Sequence, residues 1–138
     1  MAGFTFRYRL SGGAPTVQVL KAKDTETLTK GDLLNLETGE VDLAATADAN
    51  LLGVCLDTAA RTDSTTDVYV ITDADAVYGV TDANARVLGA TLDISGATGA
   101  QAVAASSNKE FVVVAPSTAT EETLVRVNIG KHVANKAQ

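Results

Sequence analysis

A chain of 138 residues with 46% apolar content can bury a core without disulfides or metals, and its composition is not that of a disordered segment. Aromatics make up only 4% and Trp is absent, so the core must be built from Val, Leu, Ile and Ala, while a single cysteine excludes an internal disulfide framework. The net charge of −6 is unevenly spread: residues 1–30 carry five Lys/Arg against two acids, residues 31–108 two against twelve, and residues 109–138 four against three; the acidic centre opposes nucleic-acid binding, whose phosphates attract Lys and Arg.

Residues 4–10 place Phe4, Phe6, Tyr8 and Leu10 in alternation with Thr5, Arg7 and Arg9, the two-residue period of a strand. This is not the continuous apolar stretch of a signal peptide, and no run in the chain approaches the ~18 apolar residues of a membrane helix. A protein made in the cytoplasm, with no membrane partner, is expected. Ser11-Gly-Gly-Ala-Pro15 follows as a flexible hinge. Residues 1–15 are therefore expected to form an extended N-terminal arm. Such an arm either docks on its own sheet or adds a strand to a neighbour's sheet edge. Its basic charge would suit an acidic protein surface, and Phe4, Phe6, Arg7, Tyr8 and Arg9 are the candidate interaction residues.

Strands are expected over residues 16–22, 33–36, 41–44, 51–58, 67–72, 76–79, 91–94, 110–115 and 123–130. Val, Ile and Thr together number 37, and their branched side chains suit a pleated sheet. Thr38-Gly39, between Leu34/Leu36 and Val41/Leu43, is a hairpin signal. One short helix is expected near residues 83–88, with a capping residue before it, Arg86 late and Gly89 after it. Residues 97–108 are small and polar and read as a long loop or a weak strand. Many short strands with turns between them point to a mainly β domain, a small barrel or sandwich, over residues 16–130. Residues 131–138 read as a C-terminal tail.

The chemical inventory is sparse. His132 is the only histidine and is expected on a surface or loosely packed tail; alone it makes no multi-His metal site. Cys55 lies in the run Leu52-Gly-Val-Cys-Leu56 and is expected to be a buried apolar residue. Asp73-Ala-Asp75 opens like a calcium loop, but Val77 and Tyr78 stand where a ligand and a glycine are required. Gly12-Gly13 lacks the Lys-Ser/Thr of a phosphate loop. No enzyme activity, cofactor or metal site is expected.

The segments Val17-Gln-Val-Leu-Lys-Ala-Lys23, Lys30-Gly-Asp-Leu-Leu34, Gly39-Glu-Val-Asp-Leu-Ala44, Leu52-Gly-Val-Cys-Leu-Asp57 and Gly79-Val-Thr-Asp-Ala-Asn-Ala-Arg-Val-Leu-Gly-Ala-Thr-Leu-Asp-Ile94 occur in an order that resembles small decoration, or cement, proteins of tailed-phage capsids. The likeness runs over residues 16–130. It implies a compact β-rich body on the outer surface of the virion, bound to the major capsid protein. It also implies a homo-oligomer, with a trimer favoured, that bridges capsomers of the expanded head. In that family an N-terminal segment commonly meets the capsid, which would give the arm its role. The alternative is a β-sandwich module of a phage fibre or head appendage that binds carbohydrate or a cell surface.

Overall fold

A computed structural model describes residues 3–23, 27–57, 59–60, 67–105 and 107–133. Its strands, in chain order, are β1 (Phe4–Arg9), β2 (Val17–Lys21), β3 (Thr27–Leu28), β4 (Leu33–Glu37), β5 (Glu40–Leu43), β6 (Leu51–Val54), β7 (Ala59–Ala60), β8 (Asp67–Ile71), β9 (Ala76–Thr81), β10 (Thr91–Ser95), β11 (Ala102–Ala105), β12 (Phe111–Val113) and β13 (Glu122–Val127), with a 3-10 turn at Ile129–Lys131. The protein is mainly β, as the sequence predicts.

The largest sheet has the order β1-β9-β13-β12-β10-β11, antiparallel throughout. Smaller sheets pair β5-β4-β6, β2-β8 and β3-β7. Two isolated bridges, Ala22 to Val41 and Cys55 to Val70, join the edges of the three-stranded sheet to Ala22 and β8. The smaller strands thus wrap round on themselves, but single bridges and not ladders hold those seams. The result is a rolled, sandwich-like stack and not a closed barrel.

Adjacent leucines explain how the layers share strands. Leu33 and Leu51 point into one core with Phe4, Tyr78, Ile94, Phe111 and Val125. Leu34 and Leu52 point the opposite way, into a second core with Leu28, Val41, Val68 and Val70. Strands β4 and β6 are covered on both faces, which is why they read as continuous apolar runs and not as alternation. By contrast β13 has one buried face, carrying Thr123, Val125 and Val127, and shows the alternation expected of it. Thr38 and Gly39 form the expected two-residue hairpin, with φ of 52° and 82°, both positive as a type I′ turn requires.

Buried polar side chains staple the layers. Gln101 accepts from the Leu33 N–H at 2.6 Å and donates to the carbonyls of Leu33 and Ala44. Asp32 accepts from the N–H groups of Thr29 and Gly99, and Asp93 from those of Ser107, Asn108 and Lys109. Residues 102–105 form strand β11, so the weak-strand reading of that small, polar stretch is the correct one.

Two expectations fail. The helix near residues 83–88 does not form. Asp82 instead accepts from the Asn84 N–H and from the Arg86 guanidinium (Nε to Oδ2, 2.6 Å), and the Arg86 backbone exchanges two hydrogen bonds with Ser117. An Asp side chain competes here with the helix for backbone donors, and it wins because Arg86 and Ser117 complete the loop. The described part of the predicted arm, residues 3–15, is also not extended away from the body. β1 is the edge strand of the large sheet, paired with β9, and Phe4 lies in the core with its ring 5.0 Å from that of Phe111. Burial of that ring is worth a few kcal/mol, more than a free strand can recover from solvent.

Candidate interaction surface

A bulge decides how β1 presents its side chains. Phe4 opposes Val80 and Phe6 opposes Tyr78, but Tyr8 opposes Val77, so Arg7 is the extra residue. An inserted residue reverses the alternation beyond it. Phe4 and Phe6 therefore face the core side, with Phe6 half-buried and edge-on to Tyr78 at 6.4 Å. Tyr8 turns to the other face and is exposed, as is Leu10 beyond the strand. The expected single apolar face from Phe4 to Leu10 is broken at Arg7.

The two arginines are engaged within the fold. Arg7 makes a two-pronged pair with Glu122 of β13, Nε to Oε2 at 2.9 Å and Nη2 to Oε1 at 2.5 Å. The pair spans β9, which lies between β1 and β13, and it passes over Gly79, where any side chain would coincide with the Glu122 carboxyl group. Arg9 lies 3.2 Å from Asp75 and 3.6 Å from Asp73. Asp75 also accepts from the Ser11 hydroxyl and N–H, and these bonds, with Arg9, outweigh burial and lower its pKa to about 2. The segment after β1 is thus tied to the β8–β9 connection. Lys21 pairs with Asp67, and Lys23 with Glu37. Much of the acidic surface that the basic N-terminal segment was expected to seek is its own.

The other candidate groups are structural. Cys55 is fully buried, as expected, its thiol 2.8 Å from the Asp57 carbonyl and its pKa pushed up by burial to about 11. His132 is not on a loose tail. It is fully buried, bridges Leu51, and its ring bonds the Leu52 backbone; burial lowers its pKa. The predicted tail therefore begins inside the body, and its residues 134–138 lie outside the described ones. Asp73 and Asp75, the calcium-loop lookalike, serve Arg9, Ser11 and the Thr16 N–H. Among the described residues no three His, Cys, Asp or Glu side chains gather to hold a metal. Among the described residues no helix is long and apolar enough to cross a membrane.

The remaining surface features were not legible beforehand. Val19 on β2 stands directly opposite Tyr69 on β8, and both are about half exposed, with Val17 beside them. Val87 and Leu88, expected at the end of a short helix, are 70% and 66% exposed at the tip of the Asp82–Gly89 loop. A strand was expected over residues 16–22, but nothing local says which face of a two-stranded ribbon will be left uncovered. Beside β1 lies a cavity of about 440 Å³, lined by Phe4, Phe6, Val54, Cys55 and Leu56, with Lys30 also contributing. No family model matches the chain, and no curated protein matches it.

Proposed function

We propose that the protein is a structural component of a tailed-phage virion. It binds the outer surface of the shell built by the major capsid protein and stabilises the expanded head by bridging capsomers. It acts as a homo-oligomer, a trimer being the favoured form, and involves no catalysis, cofactor, nucleic acid or membrane.

The observation that carries this reading is the surface. Small groups of exposed apolar side chains, Tyr8 with Leu10, Val17 and Val19 with Tyr69, and Val87 with Leu88, stand on a framework whose interior is stapled by buried hydrogen bonds. Each group is too small to hold a partner alone, at ~25 cal/mol per Å² of buried apolar surface. Repeated over a closed symmetric lattice, such weak contacts add through avidity. Rigid presentation lowers the entropy lost on docking. Within the candidate set, Tyr8 is the large side chain left to meet a partner, because Phe4 is interior and Arg7 and Arg9 are paired.

The test is co-sedimentation with expanded heads that lack the protein. Saturable binding is expected, weakened by Tyr8→Ala with Leu10→Ser while the melting temperature stays unchanged. Absence of binding overturns the reading; binding indifferent to both substitutions removes that end of β1 from the contact. The exposed rings of Tyr8 and Tyr69 favour a second reading, a glycan-binding module in which they form stacking platforms. A reproducible hit on a glycan array, lost in Tyr69→Ala, would decide for it.

A further inference from the structure

We infer that β1 is an exchangeable strand: one copy of this chain inserts its residues 3–11 into the place that β1 occupies in the next copy. The inference rests on the oligomer part of the reading above and is independent of its capsid part.

The occupant of that place is defined by the fold itself. Phe4 packs on Phe111, and Phe6 stands edge-on to Tyr78. The backbone ladder of β1 runs to β9, and the Gly3 and Phe4 N–H groups donate to the carbonyls of Gln101 and Gly31. Arg7 grips Glu122, while Arg9 and Ser11 reach Asp75. All of these partners lie beyond residue 15 in the sequence, on the far side of the turn that follows β1. None of the contacts depends on which chain supplies the strand. A second copy's β1 therefore meets a site already shaped for it, bulge and acidic partners included.

The connection from β1 to β2 is a hinge between two ties. The Ser11 N–H is bound to Asp75 at 3.0 Å and the Thr16 N–H to Asp73 at 2.6 Å. Between them Gly12, Gly13 and Ala14 are exposed. Gly12 and Gly13 both have a φ of 83°, and a Cβ at either would meet no atom within 4 Å. Two successive residues in this left-handed region are adopted readily only by glycine. The turn is closed by the Gly12 N–H on the Arg9 carbonyl at 2.9 Å and the Arg9 guanidinium on the Ala14 carbonyl at 3.4 Å. Opening it costs those two local bonds and returns backbone freedom to both glycines. Extended, residues 11–16 reach ~17 Å, enough to carry β1 to a copy in contact with the first.

Because the same contacts form within a chain or between chains, the turn and the concentration decide the balance. Exchange of an identical element is a low-cost route to an oligomer. When each copy gives one strand and receives one, no site is left empty, and three copies close such a ring as well as two.

The test uses the purified full chain in a Cys55→Ala background. One chain carries Arg7→Cys and another Glu122→Cys. These positions lie on strands separated by one other, ~10 Å apart, within reach of a short bismaleimide. The two chains are unfolded together in urea, refolded at high concentration and treated with the reagent. Covalent pairs joining one chain of each kind are expected. Gly12→Val with Gly13→Val strains only the closed turn, so it should tighten self-association more than tenfold in sedimentation equilibrium. An oligomer whose two single-cysteine chains stay unlinked, or that the glycine substitutions fail to strengthen, overturns the exchange and leaves the oligomer standing. A chain monomeric at every concentration overturns the exchange and the oligomer together.

Discussion

Arg7 and Glu122 grip each other across an intervening strand, their atoms 2.9 and 2.5 Å apart over Gly79. The pair fastens the edge strand β1 to β13 without a backbone bond between them. Both side chains are more than a third exposed, so solvent screening keeps the contribution small. A methyl at Gly79 meets only Glu122 atoms among its nearest neighbours. Gly79→Ala and Arg7→Gln should therefore each lower the urea midpoint only slightly. Because both remove the same pair, the double variant should lose less than the sum in urea titrations. Strict additivity would show that the pair contributes nothing.

Gly53 tests the rolled architecture. A methyl there would sit far inside van der Waals contact with the Ile71 carbonyl oxygen and 2.7 Å from the Tyr78 hydroxyl. All three residues are fully buried or nearly so, and a backbone carbonyl has nowhere to move. Gly53→Ala should cost about 3 kcal/mol or more, read as a fall in melting temperature of well over ten degrees or a failure to fold. A stable variant would mean that β6 and β8 are not so closely apposed.

Asp93 predicts an acid transition. Burial opposes its charge, but the N–H groups of Ser107, Lys109 and Asn108 prevail and lower its pKa from 3.8 to about 2. A lowered carboxylate pKa adds stability above the unfolded value, and that stability is lost as pH falls from 3.8 towards 2. The difference corresponds to about 2 kcal/mol at neutral pH. Asp93→Asn should lose roughly that amount at pH 7, and its deficit should shrink towards pH 2. A deficit that does not change with pH would contradict the assignment.

How much was legible beforehand follows from which interactions are local. Strands announced themselves through Val-Leu-Ile runs, and Thr38-Gly39 through turn chemistry. The Asp82–Arg86 loop was misread because Ser117, thirty-one positions beyond Arg86, completes it. The same holds for β1: an arm and a docked edge strand share one alternation, and only the distant partners Phe111 and Glu122 separate them. The bulge at Arg7 has no marker in the sequence, yet it decides which side Tyr8 faces. Val87 and Leu88 carry the residue types of a core, and only the missing helix leaves them outside.

His132 gives a second pH signature with the opposite charge. Burial favours its neutral form and lowers its pKa below 6.5. Above that value both folded and unfolded chains are neutral at this site and stability is unaffected. Below it the unfolded chain takes up the proton first, so stability declines as pH falls. Urea midpoints at pH 7.5 and 5.5 should differ less in His132→Gln than in the parent chain. Equal differences would place His132 in a solvated setting.

The rupture temperature of expanded heads, measured with and without added protein, bears most directly on the central claim. Saturable addition of the purified chain to heads that lack it should raise that temperature and then plateau at a fixed number of copies per capsomer. Heads that rupture at the same temperature under saturating protein would contradict the account.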